Sequence, residues 1–447
     1  MKPTRRMGWG IALWAAIGLT ISIIGLPQIG VLAWAGTGGL LLLAVLYDVA
    51  MAIQTPPPEV ERTPPRSLAL GAESDVTLKL TNVAKRRLKI DVFDHYPVGH
   101  SQLIEGLPRQ VVLDPSRGEE SESWTEFKYS LLPIKRGMAR FGRAELLIDG
   151  PLGLIQWRMR LGEAQERRVY PNFREVARYA LLALADRLGS MGIRQLRRRG
   201  QGLDFKQLRD YRDGDLLRQI DWKATARRQR LISREYQDER NQQVVFLLDC
   251  GRRMRAREGN ITHFDHVLNS LLLLSTVALR QEDSIGFLTF SNTGRPRWLP
   301  PQRGRGAMHL ILQQVYDLET STAPSDFAEA ARRLLVHQRR RALVILVTNL
   351  REEDSGELRH ALATLRRRHL VVLASLQEEV LSEVADGAIE GFEGALQLAE
   401  AHRHLAARRI VHEAARQQGT IVLDVPPREL PVALVNRYLQ IKGSGQL

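Results

Sequence analysis

MGWGIALWAAIGLTISIIGLPQIGVLAWAGTGGLLLLAVLY, residues Met7–Tyr47, holds no Asp, Glu, Lys or Arg across 41 positions. About 20 apolar residues cross the hydrocarbon core of a bilayer, so the run is long enough for two spans. Pro27 and Gln28 stand at its centre with Gly25 and Gly30 to either side, a composition suited to a turn between two helices. The expected spans are Met7–Leu26 and Ile29–Tyr47. Lys2, Arg5 and Arg6 precede the first span, whereas the turn carries no positive charge. The positive-inside bias then puts both ends of the hairpin, and all that follows, on the cytoplasmic side. The competing reading is a cleaved signal peptide, whose apolar region is about 7–15 residues and much shorter than this run. Trp9, Trp14, Trp34 and Tyr47 are candidate interfacial anchors or helix–helix contacts, and Gly36, Gly38 and Gly39 allow close helix approach.

Beyond the hairpin the composition changes. Of 447 residues, 64 are Lys or Arg and 50 are Asp or Glu, a formal charge of +14 that favours anionic partners in general without selecting one. The single cysteine, Cys250, excludes an intrachain disulfide and a thiolate metal cluster. Pro56–Pro58, Pro64 and Pro65 suggest an extended linker. Val76, Leu78 and Leu80, then Leu88, Ile90 and Val92, alternate with polar neighbours as half-buried strands do. Further strand-like pieces are Val111–Leu113, Trp124–Leu131, Ala139–Phe141, Ala144–Ile148 and Gln165–Tyr170. A β-rich, sandwich-like domain over residues 66–172 is expected, with no catalytic constellation in it. Val176–Leu188 suits an amphipathic helix, and Arg194 and Arg197–Arg199 form a basic patch. That patch is either a solvated loop paired with the aspartates that follow or a phosphate contact.

The passage Gln201–Asp249 reads QGLDFKQLRDYRDGDLLRQIDWKATARRQRLISREYQDERNQQVVFLLD. It resembles the bacterial domain-of-unknown-function 58 family at Leu208, Arg209, Tyr211, Gly214, Asp215, Arg218, Ile220, Asp221, Trp222, Thr225, Ala226 and Arg227, with Glu235 beyond. Asp149–Leu154, DGPLGL, is similar to that family's Asp-Pro-Phe-Gly-Leu turn, with an extra glycine and Leu152 in place of the aromatic, and Tyr170-Pro171 matches its Tyr-Pro signature. The resemblance implies an N-terminal membrane hairpin (residues 1–54), a β-rich segment, a basic connecting region (173–242) and a von Willebrand factor A-like domain (243–441). In the central motif Arg218 and Arg227 can donate bidentate bonds and Asp215, Asp221 and Glu235 can accept them, while Trp222 offers a large apolar surface and one donor. An internal network with a buried Trp222, a partner-binding surface and a catalytic carboxylate are the three readings of that motif.

From Gln243 onward strands and helices alternate. Val244–Leu248, Ser284–Phe290, Ala342–Val347, Leu370–Ala374 and Thr420–Val425 read as strands. Phe264–Leu279, Met308–Leu318, Asp326–His337, Glu357–Arg367 and Ala395–Gln418 read as helices. This order predicts a mostly parallel sheet covered on both faces. Arg303–Gly306, RGRG, lacks the Lys-Ser/Thr ending of a phosphate-binding loop. The von Willebrand factor A resemblance implies a divalent-cation loop Asp-x-Ser-x-Ser, a Thr on a second loop and an Asp on a third. Here the first loop is Asp249-Cys250-Gly251-Arg252-Arg253, Ser325 aligns with the second and Asn349 with the third. Hard cations need oxygen ligands, and Gly251 and Arg253 remove two. The site is expected to be degenerate and without a cofactor, Asp249 pairing instead with Arg252 or Arg253; weak Mg²⁺ binding is the alternative. Cys250 reads as a small buried residue, and His263, Asp265 and His266, like His402–His404, as helix surface.

These observations favour a non-enzymatic, membrane-tethered interaction or assembly factor in a bacterial inner or plasma membrane. The resemblance implies a MoxR-type AAA+ ATPase as protein partner, with the hairpin held by membrane lipids. Two other classes remain: a metal-dependent hydrolase or nuclease using Asp221 or Asp249, and nucleic-acid binding through Arg194 and Arg197–Arg199, which would weaken steeply with salt.

Overall fold

A computed structural model describes residues 1–24, 28–116, 123–172, 204–212, 217, 220–237, 241–259, 261–387 and 391–446. The expected turn at Pro27, the helix Val176–Leu188, the arginines from Arg194 to Arg199, and Asp215 and Arg218 lie outside these residues. The chain divides into two units, Met1–Val169 and Tyr170–Leu447.

The first unit begins with a two-residue strand β1 (Lys2–Pro3) and two long helices, α1 (Arg5–Ile24) and α2 (Gln28–Gln54), both long and apolar enough to cross a membrane. Trp14 and Trp34 stack across the pair with ring centroids 4.5 Å apart. Each indole N–H donates to the other residue's carbonyl, at 3.1 and 3.0 Å. These two tryptophans therefore join the helices to each other. Gly38 lies beneath the Trp14 ring and Gly18 beneath Trp34, where a Cβ would fall within 3 Å of ring atoms; Gly36 and Gly39 face open space.

The rest of this unit is β-rich. A five-stranded sheet runs in the order β1, Ile155–Leu161, Ala144–Asp149, Leu88–Phe93, Arg109–Leu113, a four-stranded sheet in the order Glu59–Thr63, Ser74–Asn82, Ser123–Pro133, Ser101–Glu105, and a three-stranded one in the order Leu68–Ala69, Gln165–Tyr170, Gly137–Phe141. Alternation decides the facing: Val76, Leu78 and Leu80 from one sheet and Leu88, Ile90 and Val92 from another are fully buried in one apolar core. Hydrophobic residues of the helices, Met7, Val45, Val49 and Ala52, pack against the same core.

Two expectations change here. Glu59–Thr63, placed in the proline-rich linker, is a strand paired with Ser74–Asn82, because two proline clusters flank a five-residue segment without interrupting it. Its Arg62 is buried and bonded to buried Asp94 at 2.8 Å, and the Tyr129 hydroxyl donates to the same carboxylate. Ser101–Glu105 and Ile155–Leu161 are also strands that the alternation did not reveal.

In the second unit, an antiparallel pair, Asp204–Asp210 with Ile232–Gln237, brackets the short helix α3 (Trp222–Arg228). A six-stranded mixed sheet follows. For the site, its strands are βA (Gln243–Asp249), βB (Ser284–Phe290), βC (Trp298–Gln302), βD (Leu343–Thr348), βE (Leu370–Leu376) and βF (Ile421–Val425), in the spatial order C-B-A-D-E-F. All neighbours are parallel except the edge pair βB–βC. Continuous apolar strands are what a sheet buried on both faces requires. Val244, Phe246 and Leu248 face a core shared with α4 (His263–Arg280), α5 (Ala307–Val315) and the C-terminal helix Leu430–Ser444, which the sequence pattern had not marked. Val245 and Leu247 face α6 (Phe327–His337), α7 (Ser355–Arg366) and part of the later helix Gly391–Gln417. A further helix, α8 (Glu379–Asp386), follows βE.

Candidate functional site

Strand βA lies between βB and βD; the chain leaves the carboxyl end of βA towards βB and that of βD towards βE, in opposite directions, the usual place for a cleft in such sheets. Asp249 ends βA and is fully buried. Its Oδ2 accepts the Ser325 hydroxyl at 2.7 Å and the Thr348 hydroxyl at 2.7 Å, and its Oδ1 accepts the Gly251 N–H at 2.8 Å. Burial pushes this carboxyl above the usual range, and the three donors act against that rise.

Ser325 thus meets Asp249 as aligned. Asn349 does not: its amide donates to Glu378 at 2.7 Å, and Arg351 donates to the same oxygen at 2.9 Å. Burial raises the Glu378 carboxyl, but Asn349 and Arg351 outweigh it and hold the group low. The expected Asp249–arginine pairing is also replaced. Arg253 forms ion pairs with Glu353 and Asp354, and Arg252 lies 3.6 Å from Glu353. The acidic run Glu352-Glu353-Asp354 just beyond βD was the available sequence signal for these partners. Thr348 was missed because a Thr ending an apolar strand looks like strand propensity alone.

The donor set does not suit a cation of the adhesion type. Both Asp249 oxygens are engaged by protein donors. A Cβ at Gly251 would sit 2.9 Å from Ser325 Oγ, 3.0 Å from Asp249 Oδ1 and 3.1 Å from the Ala323 carbonyl, so the position lacks room for a hydroxyl-bearing residue. Among the described residues no three His, Cys, Asp or Glu side chains are grouped to hold a metal ion. Beside Arg351, α8 and helix Gly391–Gln417 form a cavity of about 440 Å³ lined by Leu381, Val384, Leu396, Glu400 and His404.

One local reading is corrected. His263, Asp265 and His266 are buried rather than on a helix surface: the Asp265 carboxylate closes a capping box with Thr262, and His263 Nε2 lies 3.3 Å from Glu258. Burial, with the nearby His263, pushes the His266 imidazole down to about 4. Asp424, on βF, is raised by burial but held at about 2 by His412 and Arg408. Cys250 is buried, as expected.

The central motif makes a separate arrangement. Asp221 caps α3, accepting the Ala224 N–H at 2.9 Å and Arg234 Nε at 2.9 Å, which holds its carboxyl low. Thr225 Oγ1 accepts the Ile232 N–H at 3.0 Å, and Tyr211 N–H donates to the Leu231 carbonyl at 2.9 Å. Arg209 donates to the Asp210 carbonyl at 3.0 Å. Asp221, Thr225, Tyr211 and Arg209 are thereby brought together around one short helix and its strand pair. Trp222, expected to anchor a core, is 67% exposed, and Leu217 is 72% exposed; Arg227 is exposed on the same helix. As the first residue of α3, Trp222 follows a cap that fixes the backbone without enclosing the indole.

Residues 207–421 match the model of the family described as "Protein of unknown function DUF58". No curated protein matches the chain. Similar solved structures include an aerotolerance-related membrane protein from Bacteroides fragilis, at 16% identity over 45% of this chain and 99% of that one, TM-score 0.29. Proximal thread matrix protein 1 from the mussel byssus is 11% identical over 45% of this chain and 46% of its own, TM-score 0.29. Alpha-2-macroglobulin from Escherichia coli is 22% identical over 25% of this chain and 9% of its own, TM-score 0.19.

Proposed function

We propose that this chain, whose residues 207–421 match the DUF58 family model, is a membrane-tethered protein-interaction or assembly factor. Its two apolar helices hold a β-rich domain and a von Willebrand factor A-like domain at the cytoplasmic face of a bacterial membrane. The partner is a protein, of the MoxR-type AAA+ ATPase class, and ATP hydrolysis resides in that partner.

The observation that carries this reading is the exposed Trp222 of α3. An exposed indole on a capped helix, in a segment where Leu217, Arg227, Arg228 and Arg230 are also exposed, has the composition of a binding hot spot, in which aromatic and Arg side chains supply most of the energy. The interior of the motif is occupied with structural bonds, which favours an interface over a catalytic centre. The Asp249 network supports a partner contact that is independent of a bridging cation.

The test is capture of a purified MoxR-type ATPase by the full chain in detergent or nanodiscs, with and without EDTA. Capture that survives EDTA and falls at least tenfold with Trp222→Ala, about 1.4 kcal/mol, supports the reading. Capture that requires Mg²⁺ and is unaffected by Trp222→Ala, or metal-dependent turnover lost with Asp249→Ala, overturns it.

A further inference from the structure

The loop DGPLGL, Asp149–Leu154, joins two strands of the β-rich unit and is gripped by both apolar helices. Asp48 of α2 is fully buried although it follows an uncharged run. Its Oδ1 accepts the Leu152 N–H at 2.8 Å, and its Oδ2 accepts the Leu154 N–H at 2.8 Å and the Ile155 N–H at 3.2 Å. Thr4, just ahead of α1, donates its hydroxyl to the carbonyls of Gly153 at 2.7 Å and Leu154 at 3.0 Å, and its N–H to Leu154 at 3.0 Å. The close fit needs glycine at position 150, where a Cβ would lie 2.4 Å from Asp48 Oδ2, and Gly153 takes a φ of +67°.

These bonds fix the depth of the loop. Asp48 comes directly after Tyr47, the last residue of the uncharged run, and Thr4 stands three residues before Met7, the first. The loop is therefore held level with the two ends of the uncharged run, Met7 at the start of α1 and Tyr47 within α2. At its tip Pro151 is exposed and Leu152 keeps 47% of its surface open. Lys2, Arg5 and Arg6 are exposed at the neighbouring end of α1.

We propose that this loop is a third membrane contact: Leu152 enters the interfacial layer of the leaflet, with Lys2, Arg5 and Arg6 facing anionic lipid headgroups. The proposal rests on the hairpin spanning the bilayer. A leucine at this depth gains by leaving water, and basic residues near an anionic surface add attraction. The occupant is the lipid surface itself, since the two helices that define the loop's position are the elements that enter it.

The experiment uses the full chain with Cys250→Ala, in nanodiscs of phosphatidylglycerol and phosphatidylcholine. Spin labels are placed singly at Leu152→Cys, Pro151→Cys and, as a reference within α2, Leu42→Cys. Relative accessibility to oxygen and to a water-soluble nickel chelate reads depth. The expected result is a several-fold loss of nickel-chelate accessibility at residues 151 and 152 on passing from detergent-free aqueous controls to values near the headgroup layer, and a further loss at 42. It is also expected to deepen with phosphatidylglycerol content. A lipid-like label at 42 with fully water-accessible labels at 151 and 152 overturns the proposal and leaves the hairpin reading intact. Water-accessible labels at all three positions overturn both.

Discussion

At the residue scale, Asp249 is a buried carboxylate satisfied from within the protein. The Ser325 and Thr348 hydroxyls and the Gly251 N–H occupy the carboxylate oxygens. Thr348→Val removes one donor from a buried acceptor and should destabilise the second unit by about 1–3 kcal/mol in denaturant unfolding. Gly251→Ser, which restores a hydroxyl to the loop, should lower the melting temperature, because its Cβ would crowd three oxygen atoms; added MgCl₂ should not recover it. Asp424 gives a pH signature. Its folded-state value of about 2 lies below the ordinary 3.8, so its stabilisation is complete above that ordinary value and is lost as pH falls from about 4 towards 2. The contribution is on the order of 2 kcal/mol, and Asp424→Asn should flatten unfolding curves in that window. The sequence allowed Asp249, Ser325 and Asn349 to be selected. It did not disclose that Asn349 turns to Glu378, since Glu378 comes from the loop between βE and α8 and only the sheet order brings the two together.

Among the elements, α3 separates holding a shape from presenting a surface. Asp221, through Arg234, and Thr225, through the Ile232 N–H, tie the helix to the strand beside it, while Trp222 is exposed. Trp222→Ala should therefore change stability by no more than about 0.5 kcal/mol, as exposed substitutions do, while partner capture falls; a large loss of stability with capture retained would reverse the assignment. Asp221→Ala should lower the melting temperature through the lost cap and the Arg234 pairing. Long apolar strands such as Val244–Leu248 and Leu343–Thr348 were legible because continuous burial leaves an uninterrupted pattern. The strand Glu59–Thr63 was not, because only Arg62 among its residues is buried and a buried arginine reads as surface until Asp94 is placed beside it. Asp94→Ala, which strands the Arg62 guanidinium, should cost roughly 3–5 kcal/mol in the β-rich unit.

For the molecule as a whole, the hairpin is part of the first unit and not a detachable tail. Val45, Val49 and Ala52 pack into its core and Lys2–Pro3 pairs with Ile155–Gln156. Deleting residues 1–54 should thus leave a protein with a markedly lower melting temperature for the β-rich unit, whereas a deletion that keeps residues 45–54 should retain more of it; equal melting for both would show that these contacts contribute little. That residues 7–47 hold two helices long and apolar enough to cross a membrane was legible because it is a property of composition alone. Its attachment was not, for Asp48 looked like the first polar residue after a span until the loop from Asp149 closed over it.

That attachment also imposes an order in time. Asp48 and its first hydrogen-bond donor, Leu152, are separated by 104 positions in the chain, and synthesis proceeds at about 5–20 residues per second. The two helices are therefore made roughly 5–20 seconds before the backbone that receives the Asp48 carboxylate exists. During that interval the aspartate needs water, which under the proposed membrane-spanning hairpin keeps α2 from sliding deeper into the bilayer until the β-rich unit clasps it. Nascent chains arrested before residue 149 should leave a probe at Asp48→Cys open to aqueous thiol reagents, and chains arrested well beyond residue 170 should protect it.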